Sequence, residues 1–188
     1  MIKMKHLIIT SHPSSKGFTH KIAKAFYYKA LEKGDEVEII DLYDEEFKLD
    51  FLRFEDISKM PIDDVVLKIQ KKISLSDNLV FISPMWWYSC TAIMKNFFDR
   101  IITSGFAYKY EGNFLPEKLL VGKSAQIFMT CDGPKIFYLV FGNLAKRFFK
   151  MNLNFCGIKV KDYVLLSSKR TRSDNDLDNF LLEVGDKV

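Results

Sequence analysis

Residues 79–102 read LVFISPMWWYSCTAIMKNFFDRII. Leu79 to Ser83 is an apolar run of strand length without polar alternation, as expected of a strand buried on both faces. Ile93, Met94, Phe97, Phe98, Ile101 and Ile102 then recur at helical spacing. Between the two stands the loop Pro84 to Tyr88, which carries both tryptophans of the chain. The same order of strand, loop and helix repeats in both directions.

Upstream, Lys5 to Thr10 is a buried-strand run, SHPSSKG a turn, and Ile22, Ala23, Phe26, Tyr27, Ala30 and Leu31 the stripe of a helix. Val37 to Leu42 makes the second strand. A polar and aromatic excursion, Tyr43 to Met60, is long for a plain connection, so it is expected to be functional or to hold a short helix. Pro61 suits the first turn of a helix whose stripe is Ile62, Val65, Val66, Ile69 and Ile73. Downstream, Ala125 to Thr130 is the fourth strand, residues 135–151 a helix apolar on most sides, and Val160 to Leu166 the fifth strand. A last helix turns Leu177, Phe180, Leu181 and Val184 inward and is capped by Ser173, with Asp176 three residues on. Strands alternating with helices imply one domain over 1–188, an α/β parallel sheet with right-handed crossovers and helices on both faces.

Composition narrows the class. The 188 residues are 48% apolar, 28% charged and 14% aromatic, enough to bury a full core and to exclude wholesale disorder. The longest apolar run is Ile136 to Phe141, far short of the ~20 residues that span a membrane. The start, MIKMKHLIITS, has neither the apolar stretch nor the cleavage site of a signal peptide. Cys90, Cys131 and Cys156 form neither a disulfide framework nor a metal clip. A cytoplasmic protein with no direct membrane insertion is expected. Net charge is +4, but Lys21, Lys24, Lys29 and Lys33 lie opposite an apolar helical stripe, as a solvated face does. No basic stripe with interleaved aromatics speaks for nucleic acid.

Several motif fragments fail on inspection. Gly122-Lys123-Ser124 ends like a P-loop, but the first glycine of that pattern falls on Glu117, and a strand follows. Asp174, Asp176 and Asp178 open like a calcium loop, yet Asn179 and Gly185 stand where Gly and Glu are required. There is no GxGxxG, and His6, His12 and His20 have no metal-ligand spacing with the cysteines, so no metal is expected.

Three segments survive, each following a strand. In an open parallel sheet ligands bind beyond the carboxyl ends of the strands, where all three would meet. TSHPSSKGFT (10–19) sets hydroxyls, an imidazole and Lys16 before a helix N-terminus, which suits a phosphate; the plain alternative is a polar turn with Thr19 as cap. PMWWY (84–88) holds adjacent aromatics that cannot all enter one core. Some must line a pocket for a planar ring such as a flavin, or a dimer contact. TCDGP (130–134) offers backbone N–H groups to negative charge at another helix start, with Gly133 allowing close approach.

Together the stretches SHPSSKGFTHKIAKAF (11–26), PMWWYSCTAIMKNFFDRIITSGFAY (84–108) and NFCGIKV (154–160) resemble the flavodoxin-like NAD(P)H:quinone oxidoreductase family. That family includes DT-diaphorase, the modulator of drug activity B proteins and the ancillary oxidoreductases of potassium-efflux systems. The resemblance implies a three-layer flavodoxin-like fold with a five-stranded parallel sheet in the order 2-1-3-4-5. It implies a flavin, FMN or FAD, whose phosphate or pyrophosphate lies on His12, Lys16, Gly17, Phe18 and Thr19. The ring would lie against the loop of Pro84, Met85, Trp86, Trp87 and Tyr88, with Thr130, Cys131, Asp132 and Gly133 closing its pyrimidine end. The short C-terminus, with little to cover an adenine, tilts the reading towards FMN. A homodimer is implied, each site completed by the partner. The chain departs from the family where Trp86 replaces a frequent Gln and Thr91 a usual Pro. With no histidine after His20, the Tyr–His pair of some members cannot form downstream; Tyr138 resembles its tyrosine, but the stronger reading is one more aromatic in the apolar run Ile136 to Phe141.

The function so implied is ping-pong hydride transfer from NAD(P)H through the flavin to a quinone or similar electron-poor aromatic, with Tyr138 as catalytic candidate. The competing reading is a flavin-binding regulatory subunit of a transporter or other partner, docked through Tyr43 to Met60. A one-electron carrier of flavodoxin type would be strongly acidic, which this chain is not.

Overall fold

In the computed structural model, which describes residues 3–56, 63–112 and 115–188, the apolar runs become a central parallel sheet. Its strands are β1 (Lys5–Thr10), β2 (Glu36–Asp41), β3 (Asn78–Pro84), β6 (Ser124–Thr130) and β7 (Lys159–Leu166), in the order β2-β1-β3-β6-β7. β4 (Tyr108–Lys109) and β5 (Glu117–Lys118) form a small antiparallel pair that the sequence did not announce. The strand order is the expected one.

Alternation along each strand fills two cores. Leu7, Ile9, Leu79, Phe81, Ile127 and Met129 face α2 (Asp64–Leu75), α3 (Ala92–Ile101) and α5 (Leu144–Phe155). Ile8, Val80, Ile82 and Phe128 face α1 (Phe18–Glu32) and α6 (Asp174–Asp186). Both faces of β3 and β6 are buried throughout, which is why these strands read as unbroken apolar runs. The Ser173 capping box of α6 forms as expected, with the Ser173 side chain accepting from Asp176 N–H and Asp176 from Ser173 N–H.

Two helix expectations are corrected. The helix expected over 135–151 is two: α4 (Lys135–Val140) ends, Gly142 takes φ +80°, and Asn143 caps α5 by accepting from Lys146 N–H. A positive φ is a conformation glycine adopts without steric penalty, and it breaks the helix. Thr19 is not the cap of α1; that position is Gly17, and Thr19 is buried in the first turn. The excursion after β2 holds a single 3-10 turn, Glu45–Phe47, within its described part. Pro61 lies outside the described residues.

The amino ends of the strands are joined by a buried polar ladder. His6 Nε2 meets Asp35 Oδ2 at 3.2 Å and His6 Nδ1 meets Asn78 Nδ2 at 3.1 Å. Asn78 Nδ2 also donates to Gln126 Oε1 at 2.8 Å, while Asn78 Oδ1 accepts from Ser124 Oγ at 2.8 Å. Gln126 Nε2 donates to Asp162 Oδ2 (3.2 Å) and to the Lys187 carbonyl (2.7 Å). A bulge between Ala125 and Gln126 sets Asp162 opposite Gln126; continuous register would put Lys161 there.

At the carboxyl ends the register aligns the rim. Thr10 pairs with Ile82, Pro84 with Thr130, and Thr130 with Leu166. The loops after β1, β3, β6 and β7 therefore leave the sheet at nearly one height.

Candidate active site

These loops enclose a cleft of about 630 Å³. From the β1–α1 turn come His12, Phe18 and Thr19, from the loop after β3 Pro84 to Trp87, and from the loop after β6 Thr130 to Gly133. Tyr138 of α4 and Lys169 complete it. Most of the residues singled out in three segments far apart in the chain therefore line one cleft. Lys16 is exposed on the turn and, with Gly17 and Tyr88, does not line the cleft. Lys169 was missed, and it follows the fifth strand of the sheet at the same edge.

The wall beside α1 starts from the local geometry of the β1–α1 turn. His12 Nδ1 accepts from Ser14 N–H at 3.0 Å, folding the turn on itself. The imidazole then lies so close to Gly17 that a Cβ there would sit 2.4 Å from His12 Nδ1. Behind it the first turn of α1 presents N–H groups with no helical acceptor. Thr19 is 1% exposed, yet its Oγ1 has no hydrogen-bond partner. A buried hydroxyl without a partner costs roughly 1–3 kcal/mol. In a cleft wall at a helix N-terminus, it fits an incoming anion.

A string of hydroxyls fixes the aromatic loop. Thr91 Oγ1 donates to Ser11 Oγ at 2.9 Å, Ser11 Oγ to Ser83 Oγ at 3.0 Å, and Ser83 Oγ to the Pro84 carbonyl at 2.9 Å. Thr91 also caps α3 by accepting from Met94 N–H. The threonine that stands where a proline is usual thus ties β1, β3 and α3 together beneath the cleft. Thr91→Val keeps the shape and removes both bonds, so it should destabilise the fold by about 2 kcal/mol in urea unfolding, with Thr91→Ser recovering most of it.

Above that string, Trp86 N–H donates to the Ser89 carbonyl (2.9 Å) and Ser89 N–H to the Trp86 carbonyl (3.0 Å). The two residues between, Trp87 and Tyr88, hold φ +51° and +63°. Such a two-residue turn requires positive φ at both central positions, where glycine and asparagine are usual. The strain is of order 1–3 kcal/mol per residue. It points Trp87 outward, 96% exposed at the cleft mouth, and sends Tyr88 to an edge contact with Tyr138 at 5.8 Å between centroids.

At the opposite wall the loop after β6 is bolted to the chain after β7. Cys131 N–H donates to the Leu166 carbonyl (2.9 Å), Lys169 N–H to the Cys131 carbonyl (2.9 Å) and Ser168 N–H to the Gly133 carbonyl (3.1 Å). The backbone donor expected of Cys131 for negative charge is therefore spent inside the fold. A further donor at this wall is Tyr138: a Cβ at Gly133 would lie 2.7 Å from its hydroxyl. Burial, and then the Cys131 thiol beside it, hold the Tyr138 hydroxyl well above the ordinary phenol range. It keeps its proton and can donate. Burial also raises the Cys131 thiol, which stays neutral. Among the described residues no cluster of three or more His, Cys, Asp or Glu could hold a metal, and no helix is long and apolar enough to cross a membrane.

A family model described as a flavodoxin-like fold matches residues 4–188. The chain belongs to that family. It is 32% identical over 169 residues to an uncharacterized NAD(P)H oxidoreductase of Haemophilus influenzae, covering 86% of this chain and 83% of that one. It is 27% identical over 189 residues to the rat ribosyldihydronicotinamide dehydrogenase [quinone], covering 85% and 80%. Among solved structures, the NAD(P)H:quinone oxidoreductase of Methanothermobacter marburgensis superposes with a TM-score of 0.80 at 26% identity, over 98% of this chain and 94% of that one. Family membership fits the cleft: an orphaned hydroxyl at a helix N-terminus and an aromatic wall suit a phosphate-tailed planar group.

Proposed function

We propose that the protein is a flavin-dependent NAD(P)H oxidoreductase that reduces quinones or similar electron-poor aromatics. The observation that carries this reading is the meeting of three chain-distant loops at one cleft, with the unpartnered Thr19 hydroxyl buried in its wall. A bound flavin supplies the hydride chemistry, taking two electrons from a nicotinamide and passing them to the acceptor. The chain's own residues bind and orient. Thr19 and the α1 N-terminus hold the phosphate, with His12 packed on Gly17 behind them. Met85, Trp86 and Trp87 form the apolar wall, held by the hydroxyl string below. Tyr138, as a neutral phenol, donates a hydrogen bond to negative charge that develops in the cleft. Alignment carries much of the rate, and no side-chain base is required.

Nicotinamide and acceptor use one cleft in turn, so double-reciprocal plots at several quinone concentrations should run parallel. Trp87→Ala should lower flavin retention or turnover at least ~10-fold. Tyr28→Ala, on the exposed face of α1, should leave both unchanged. A purified protein that stays colourless after soaking with FMN and with FAD overturns the reading. Tight binding of flavin with no quinone-dependent NAD(P)H oxidation overturns the enzymatic part of it.

The homodimer implied by the family resemblance is supported by α4 and the residues beyond it. Leu139, Val140 and Phe141, at the end of the chain's longest apolar run, and Leu144, which opens α5, are each more than half exposed. Patches of this kind mark interaction sites, and Tyr138 of the cleft lies on the same helix. Sedimentation of the full chain should give a dimer, and Val140→Glu with Phe141→Glu should shift it to monomer.

A further inference from the structure

Lys169 is the lining residue that no sequence motif pointed to, and its setting is specific. Its backbone N–H is tied to the Cys131 carbonyl at 2.9 Å, and it opens a short 3-10 turn, Lys169–Thr171, entered through Ser168 at φ +54°. Its ammonium stands 6.0 Å from the centroid of the Phe18 ring, the first residue of α1. The neighbouring Arg170 takes the nearby carboxylate, its guanidinium lying 3.2 Å from Asp132 Oδ2. Lys169 has no carboxylate partner among the described residues. A half-buried ammonium without a counter-ion therefore faces the same end of the cleft as the helix N-terminus and the unpartnered Thr19 hydroxyl.

Resting on the flavin reading above, we propose that Lys169 is a specificity-determining residue: its ammonium pairs with the cofactor's terminal phosphate and makes the site prefer FMN to FAD. The charge argument is local. A phosphate monoester carries about −1.5 to −2 at pH 7 on a single group. The pyrophosphate of FAD spreads its charge over two diester groups, and one of them must continue to adenosine. Helix N-terminus, Thr19 hydroxyl and Lys169 ammonium line the same end of one cleft, so the more concentrated charge gains more. The Phe18 ring, an apolar surface at that end, already lies beneath the ammonium. The Lys169 main chain is bonded to Cys131, so the fold sets the root of this side chain at the rim before any ligand arrives.

The test is fluorescence titration of the full chain, freed of flavin, with FMN, FAD and riboflavin at low and high salt. FMN should bind roughly 10-fold or more tightly than FAD. Lys169→Met should weaken FMN by about 10- to 100-fold, flatten its salt dependence and leave riboflavin, which has no phosphate, within about twofold. Lys169→Arg keeps the charge and should keep most of the affinity. The proposal is overturned if Lys169→Met binds FMN as wild type does, if riboflavin weakens equally, or if the wild type favours FAD. Binding of none of the three removes the flavin reading itself and this inference with it, an outcome distinct from flavin bound without regard to Lys169.

Discussion

Gly133→Ala is expected to lower quinone-dependent turnover by roughly 10- to 100-fold, through one contact rather than through general damage. The methyl group would sit 2.7 Å from the Tyr138 hydroxyl, whereas the next atoms of that ring lie at 3.5 and 3.7 Å, ordinary contact distances. The ring must move, taking with it the hydroxyl that faces Cys131 and the edge contact on Tyr88. Overpacking of this kind costs about 1–3 kcal/mol, and the donor is lost from the cleft. Because the clash involves the oxygen, Tyr138→Phe should relieve it. In a double-mutant cycle Gly133→Ala should destabilise the wild type by about 1–2 kcal/mol more than the Tyr138→Phe protein. Equal destabilisation in both backgrounds would place the strain elsewhere. Flavin retention, read by absorbance of the purified variants, separates a displaced Tyr138 from a cleft that no longer binds.

Much of this site was legible because its loops are compositionally odd for connections: hydroxyls and glycine before a helix, two tryptophans after a strand, a Cys-Asp-Gly-Pro turn. Lys169 was not, because Ser-Lys-Arg-Thr-Arg after a strand reads as a solvated basic turn. Only the register of β7 against β6, with Leu166 level with Thr130, brings it to the rim. Tyr88 shows the converse. Its aromatic neighbours suggested the cleft, but the positive φ values of the Trp87–Tyr88 turn divert it to Tyr138. In the fold, the five strands were clear because both faces of the sheet are covered. The break at Gly142 was hidden inside an apolar run whose composition suits a helix on either side. The pair β4–β5 has strands of two residues each, too short for any periodicity to register.

The polar ladder escaped sequence reading for a different reason, and it carries the largest expected effect on stability. His6, Asn78, Gln126 and Asp162 each look like a stray polar letter in or beside an apolar strand; the bulge that aligns Asp162 with Gln126 leaves no compositional mark. Once formed, the ladder is directional. Asp162 Oδ2 and the Lys187 carbonyl can only accept, so the Gln126 amide nitrogen must face them and its oxygen must face Asn78. Asn78 then turns its own nitrogen to both Gln126 and His6, which fixes His6 Nδ1 as an acceptor and leaves Nε2–H for Asp35. Gln126→Glu, equal in size, replaces the donor by an acceptor 3.2 Å from a carboxylate and 2.7 Å from a carbonyl. At 3% exposure the new charge has little water to turn to. A loss of about 3–5 kcal/mol at pH 7 is expected. The sign with pH follows from linkage: burial and the facing carboxylate raise the introduced carboxyl above its unfolded value. The variant should therefore approach wild-type stability below the unfolded carboxyl value, about 4.3, and lose it as pH rises through the raised one. Gln126→Met, which carries no charge, should cost about 2 kcal/mol at pH 7 and its deficit should not grow with pH over that window. Urea unfolding of the three proteins at pH 4.5 and 7.5 decides it; a Gln126→Glu deficit that does not grow with pH would mean that this end of the ladder is open to water.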